Sequence, residues 1–226
     1  MRPLTIAIDG PGSAGKGTIA RGVAMQLGYQ YVDTGAMYRA VALRALREGL
    51  SWSDEDGVAA LARQLAFAFQ FRDGSLRVSV DGEDLTHAIR EDTIGMGASQ
   101  VSKLPAVRAA LLELQRSLGA AGGVVMDGRD IGTVVLPDAD LKIYLDADLE
   151  VRALRRHAEL SRRGEQTTLA DVRRALDARD RQDMERSVAP LRAADDAVRL
   201  DTTELTIHRS TQKVLELVRE RAETGA

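Results

Sequence analysis

Nine residues, Gly10-Pro11-Gly12-Ser13-Ala14-Gly15-Lys16-Gly17-Thr18, gather three kinds of anion-binding group into one turn. A glycine-rich backbone can point successive N–H groups at an anion, and the N-terminus of a following helix adds partial positive charge. A lysine adds a mobile point charge that can reach outer phosphates. Gly10 and Gly15 permit backbone conformations and a closeness of approach that a Cβ would block. The chemistry such a turn serves is nucleotide phosphate binding, and its pattern is that of a P-loop. In the general pattern a Ser or Thr follows the lysine directly. Here Gly17 intervenes and the hydroxyl sits on Thr18, so a magnesium ion is expected to be held less directly, partly through water.

A second string, Asp127-Gly128-Arg129-Asp130, ends the apolar run Gly123-Val124-Val125-Met126. Alone, Asp-Gly reads as a turn. After a buried strand facing a phosphate loop, the carboxylate is placed to hold Mg²⁺ or its waters, so Asp127 joins Thr18 as a metal candidate. Arg179, Asp183 and Arg186 stand at i, i+4 and i+7 and share one helix face. That face is either a solvated ion-pair ladder or a grip on ribose and phosphate. Arg152, Arg155, Arg156, Arg162 and Arg163 cluster densely before Gly164, a candidate hinge. Five such cations repel one another unless acidic neighbours or a polyanion such as triphosphate offset them, so the segment reads as a mobile lid. His87, His157 and His208 lie outside these clusters and read as surface or lid residues. Transfer to a hydroxyl usually needs a positioned base. A phosphate acceptor is already anionic near neutrality, with a second pKa of about 6. A site rich in arginine and poor in bases fits a phosphate acceptor.

The elements that must position these groups alternate along the chain. Short β-prone runs fall at 4–9, 29–33, 122–127, 140–145 and 197–201, and helical patterns at 16–27, 36–48, 54–65, 105–118, 148–163, 168–186 and 204–222. Alternation of this kind predicts an α/β fold, a three-layer α/β/α sandwich around a five-stranded parallel sheet. Pro105 suits a first helical turn. Thr202 or Thr203 is a plausible cap for the last helix, whose Leu205, Val214, Leu215, Leu217 and Val218 face inward. Residues 66–86 break the rhythm: Phe67, Phe69 and Phe71 alternate, as do Leu76, Val78 and Val80, with turn signals at Arg72-Asp73-Gly74-Ser75 and Asp81-Gly82. This predicts a hairpin or small antiparallel sheet, either decorative or a substrate-side lobe, since ligands bind beyond the strand C-termini where insertions sit.

The 226 residues carry a net charge of −3, so no overall basic field points to nucleic acid. The 31 basic residues are nearly all arginine, the residue of planar phosphate recognition. Cysteine is absent, which excludes disulfides and thiolate metal sites. No apolar run approaches a membrane span and no signal-peptide pattern opens the chain, so a soluble cytoplasmic protein is expected.

Taken together, the loop at 10–18, Asp33-Thr34-Gly35-Ala36-Met37-Tyr38-Arg39, the β-insertion, Ala98-Ser99-Gln100-Val101, Val107-Arg108, Asp127-Gly128-Arg129-Asp130-Ile131-Gly132-Thr133 and Ser187-Val188-Ala189-Pro190-Leu191 resemble the bacterial cytidylate kinases, within the nucleoside monophosphate kinases. The likeness spans about 4–220, and the Asp-Gly-Arg-Asp and Asp-Thr-Gly-Ala-Met-Tyr-Arg strings are its most specific parts. It implies one P-loop kinase domain over 1–226, a nucleoside-monophosphate-binding lobe at 66–98 and a helical lid at about 152–186. It implies that Gly10, Pro11, Gly12, Ser13, Ala14, Gly15, Lys16, Gly17 and Thr18 bind ATP. Ser99, Arg108 and Asp130, with Thr34 nearby, match positions that read the cytosine edge. Tyr38, Arg39 and Arg129 match positions near the acceptor phosphate, and Arg179, Asp183 and Arg186 match ribose and phosphate contacts. The implied reaction is in-line transfer of the ATP γ-phosphoryl group, with Mg²⁺, to CMP or dCMP, in pyrimidine nucleotide metabolism. Lys16, Arg129 and the lid arginines Arg156 and Arg163 are the expected catalytic cations, and a monomer is expected. The rivals are a kinase for another acceptor, such as UMP, AMP or shikimate, and a P-loop nucleotide-dependent binding module. No Asn-Lys-x-Asp string for reading guanine is present.

Overall fold

The computed structural model describes residues 3–72 and 75–224. Its strands are β1 (Thr5–Asp9), β2 (Gln30–Asp33), β3 (Phe67–Arg72), β4 (Ser75–Val80), β5 (Glu83–Asp84), β6 (Val124–Gly128), β7 (Leu141–Asp146) and β8 (Val198–Asp201). Its α-helices are α1 (Lys16–Leu27), α2 (Thr34–Arg47), α3 (Glu55–Gln64), α4 (Asp92–Val101), α5 (Pro105–Gly119), α6 (Leu149–Arg162), α7 (Leu169–Glu185) and α8 (Ile207–Thr224). The chain forms two compact units, one of 1–31 with 119–226 and one of 32–118.

The first unit is built on a five-stranded sheet in the order β2-β6-β1-β7-β8. β1 lies at its centre, parallel to β6 (Ile6 opposite Val125, Ile8 opposite Asp127) and to β7 (Ile8 opposite Ile143). Ile6, Ala7 and Ile8 are wholly buried, as a strand covered on both faces must be, which is why β1 reads as an unbroken apolar run. From β1 the chain runs first to one side of the sheet and later to the other. The C-terminal end of β1 is therefore the topological switch point, the place where such sheets bind ligands. Gly10 begins there. The anticipated five-stranded α/β architecture is what the chain forms.

The second unit carries a separate sheet, β3-β4-β5, whose β3 and β4 pair antiparallel with Phe67 opposite Val80 and Phe69 opposite Val78. Asp81 and Gly82 join β4 to β5 with φ of 53° and 83°, the two positive angles of a type I′ turn. Asp73 and Gly74 of the other anticipated turn lie outside the described residues.

Two of the α-helices depart from expectation. α4 has no counterpart in the sequence reading, because Gly95 and Gly97 depress its helix propensity. Packing overrides propensity there: a Cβ on Gly97 would stand 2.5 Å from the Trp52 ring, so that glycine admits the indole. The last helix starts at Ile207 rather than 204, and neither Thr202 nor Thr203 caps it. The Thr202 hydroxyl lies 3.0 Å from the Asp146 carbonyl and 3.2 Å from that of Ala14, and the Thr203 hydroxyl accepts from the Asp148 amide. Thr206 does the capping, accepting from the Arg209 amide at 3.2 Å. Leu205 consequently lies before the helix, half-buried. Among the described residues no helix is long and apolar enough to cross a membrane.

Candidate active site

The phosphate loop owes its shape to backbone that most side chains would forbid. Gly10 has φ of 147°, and a Cβ there would sit 1.9 Å from the Leu145 carbonyl oxygen of β7. Gly15, at φ 93°, is the N-cap of α1 and offers no side chain to its first-turn amides, which are left facing the loop. Ser13 adopts φ of 59°, a left-handed conformation that costs a non-glycine residue about 1 kcal/mol or more. Gly12 is held from both sides. Its N–H donates to Asp180 Oδ1 at 3.2 Å and its carbonyl accepts from Arg152 at 3.2 Å. Arg152 also donates to the Ala147 carbonyl at 2.8 Å and forms a buried ion pair with Asp180.

Lys16 is buried, and its ammonium donates to the Pro11 carbonyl at 2.6 Å. Burial pushes it down to about 7, and the Arg129 and Arg179 guanidiniums push the same way against Asp127 and Asp9. Asp127 is buried at the end of β6, and its Oδ1 accepts from the Tyr31 hydroxyl at 2.9 Å. Thr18 stands in the first turn of α1 and is exposed.

Asp9 escaped the sequence reading. Its carboxylate accepts from the Ile131 and Gly132 amides, both at 2.8 Å, and so ties the loop after β6 to the end of β1. Burial raises it to about 6, against the pull of those two amides. The available signal was an acidic residue closing an apolar strand.

Arg129, Asp130, Asp183 and Arg186 form one network in the first unit. Arg129 Nε donates to Asp183 Oδ2 at 2.8 Å, and Arg186 donates to Asp130 Oδ1 at 3.3 Å and to the Ala189 carbonyl at 2.6 Å. Arg179 acts electrostatically on both Lys16 and Asp183, which places it in the same neighbourhood. Burial works to raise the Asp183 carboxyl, but Arg129, Arg179 and Arg186 outweigh it and hold it below the usual carboxylate range. With Asp183 only 4% exposed, the 179/183/186 face is no solvated ladder.

The arginine cluster on α6 resolves into separate pairs. Arg152 turns inward to Asp180, and Arg155 donates to the Thr202 carbonyl at 2.6 Å. Arg156 and Arg163 share the carboxylate of Glu159, Arg156 at 3.0 Å. Exposed Arg162 donates to the Ala158 carbonyl. Three acidic neighbours, Asp180 beside Arg152, Glu159 between Arg156 and Arg163, and Asp201 near Arg155, thus offset much of the charge without any polyanion.

In the second unit, Asp33 caps α2 by accepting from the Ala36 amide at 2.9 Å, with Thr34 and Tyr38 buried on that helix. The Arg108 guanidinium lies 5.6 Å from the centre of the Tyr38 ring and donates to the Ser102 carbonyl. Arg39 donates to the Ile89 carbonyl at 3.3 Å, and Ser99 is half-buried on α4.

A family profile described as cytidylate kinase matches residues 6–220. Over full-length alignments the chain is 51% identical to a cytidylate kinase of Desulfitobacterium hafniense, covering 98% of this chain and 95% of that one. It is 49% identical to one of Chromobacterium violaceum, covering 100% of both. Among solved structures, a gluconokinase from Sinorhizobium meliloti aligns over 100% of this chain and 99% of its own with a TM-score of 0.50 and 14% identity, a likeness of fold alone. A phosphate loop that opens on a parallel sheet, the buried Asp-Gly-Arg-Asp network beside it and these alignments agree: the chain belongs to the cytidylate kinase family.

Proposed function

We propose that this protein transfers the γ-phosphoryl group of ATP to the 5′-phosphate of CMP, and of dCMP, releasing ADP and CDP or dCDP. The observation that carries the reading is the grouping of buried Lys16 with half-buried Arg129 and Arg179 around the phosphate loop. Cations grouped in this way repel one another, and anionic phosphate relieves the repulsion. His87 and His208 are exposed and the ring of His157 lies 3.1 Å from the Thr167 carbonyl, so none of the three joins this cluster. A phosphate acceptor needs no base, which suits such a group.

In this reading the amides of 12–18 and Lys16 bind the triphosphate. Arg129 and Arg179 stabilise the charge that spreads over the transferred group, with Arg156 and Arg163 as further candidates. Asp130, Asp183, Arg186, Tyr38, Arg39, Ser99, Arg108 and Thr34 are the proposed CMP contacts. Asp127, a buried hard-oxygen donor whose Oδ2 faces Gly17, fits Mg²⁺ held partly through water, with Thr18 as the other candidate. When bound, that ion would neutralise charge on the β- and γ-phosphates. A coupled assay of ADP release with CMP, dCMP, UMP or AMP as acceptor tests the reading. CMP and dCMP are expected to accelerate release strongly, and an equal rate without acceptor would overturn it.

Lys16 gives the reading a pH signature. A lysine held near 7 in the folded protein, against its ordinary value of 10.5, binds fewer protons folded than unfolded between those values. Stability of the unliganded protein should therefore rise with pH across that window. Triphosphate favours the charged ammonium, so ATP binding at pH about 8 should draw protons onto the protein. Calorimetry in two buffers of different ionisation enthalpy should show that uptake, and Lys16→Met should abolish it.

A further inference from the structure

We propose that Tyr31 is a positioning residue for the metal side of the donor site. Its hydroxyl stands in for the Ser or Thr that follows the lysine in the general phosphate loop, and it aims the Asp127 carboxylate. The proposal rests on the kinase reading above and extends it to a residue outside the phosphate-loop and Asp-Gly-Arg-Asp motifs.

At position 17 the general pattern would place a hydroxyl on the helix face beside the metal. This chain has glycine there, and the structure shows what fills the space. A Cβ on Gly17 would stand 3.1 Å from the Tyr31 hydroxyl and 3.8 Å from Asp127 Oδ2. Tyr31 reaches this point from β2 with its side chain buried, and donates its proton to Asp127 Oδ1 at 2.9 Å. An ionised carboxylate can only accept, so the phenol must be the donor. That bond fixes the carboxylate's rotation and leaves Oδ2 as the oxygen turned toward the start of α1. Thr18, one residue on, lies about 100° further round the helix and is exposed. The side of α1 that faces Asp127 therefore receives its hydroxyl from β2. Glycine at 17 and tyrosine at 31 are then one device, since a side chain at 17 would crowd the hydroxyl that replaces it.

Tyr31→Phe keeps the ring and its packing and removes only the oxygen. The informative quantity is the gain in ATP affinity that Mg²⁺ confers, measured by calorimetry with Mg²⁺ and again with EDTA. Loss of a group that orients a metal ligand commonly weakens metal binding 10- to 100-fold. Tyr31→Phe is expected to cut the Mg²⁺-dependent gain about tenfold, with affinity in EDTA and affinity for CMP close to wild type. Gly17→Ser alone should also impair the gain, because its Cβ meets the tyrosine oxygen. Tyr31→Phe with Gly17→Ser should recover most of it, the serine supplying the hydroxyl in the vacated space. An unchanged gain in Tyr31→Phe overturns the assignment. An equal loss with and without metal overturns it too, as does a double variant no better than the worse single one. If wild type phosphorylates CMP while Tyr31→Phe behaves as wild type, only the role of Tyr31 falls. If wild type neither binds ATP nor accepts CMP, the kinase reading falls first.

Discussion

Lys16→Met is expected to lower turnover by about 10³-fold, the scale for removing one preorganised donor to a transition state. It is also expected to leave the unliganded protein at least as stable as wild type. The two expectations have one source. Without nucleotide the Lys16 ammonium is buried, donates to the Pro11 carbonyl, and lies near Arg129 and Arg179. Burial and that repulsion push it down to about 7, so folding bears the cost of a desolvated cation. Methionine has similar length and no charge, and it removes the cost while filling the space. The same desolvation makes the ammonium effective once phosphate arrives. Thermal unfolding beside steady-state kinetics checks the pair. A large drop in the thermal midpoint, or turnover within tenfold of wild type, would contradict it.

The largest stability effect is expected at Gly10. Its Cβ would come within 1.9 Å of a backbone oxygen on a central strand, at a φ of 147° that side chains avoid. Neither partner is the flexible end of a side chain, so β1 or β7 must move. Gly10→Ala should cost more than 4 kcal/mol, the exceptional end for a point substitution. Gly28→Ala is the control. That glycine is also left-handed, at φ 68°, but nothing lies within 4 Å of its Cβ position, so only strain of about 1 kcal/mol is expected. Urea unfolding of the two variants should separate collision from strain.

What could be read in advance follows how local the cause is. β1, the phosphate loop and α1 were legible because an apolar run, a glycine turn and a helical pattern sit within 27 residues of one another. The I′ turn at Asp81-Gly82 was legible for the same reason. Asp9 was not, since its two amide partners lie 122 and 123 residues away. Arg152 counted as one cation in a crowd, yet it is buried against Asp180, 28 residues on. α4 was hidden because its glycines make sense only once Trp52 is packed against one of them. Thr202 looked like a cap, and its hydroxyl is drawn to the carbonyls of Ala14 and Asp146 instead.

The Arg152–Asp180 pair has a mechanical corollary. It fastens the first turn of α6 and the far part of α7 to Gly12, so those two stretches travel with the phosphate loop as one rigid base. The Arg155–Thr202 bond extends that base by one turn, so any swing of this helical arm would have its fulcrum beyond Arg155, leaving roughly 156–179 as the stroke, with Gly164 (φ 80°) in the bend at its tip. Seven residues of α6 give a lever of about 10 Å at 1.5 Å per residue. A modest rotation beyond the staple would therefore sweep Arg163 through several ångströms while Gly12 stays still.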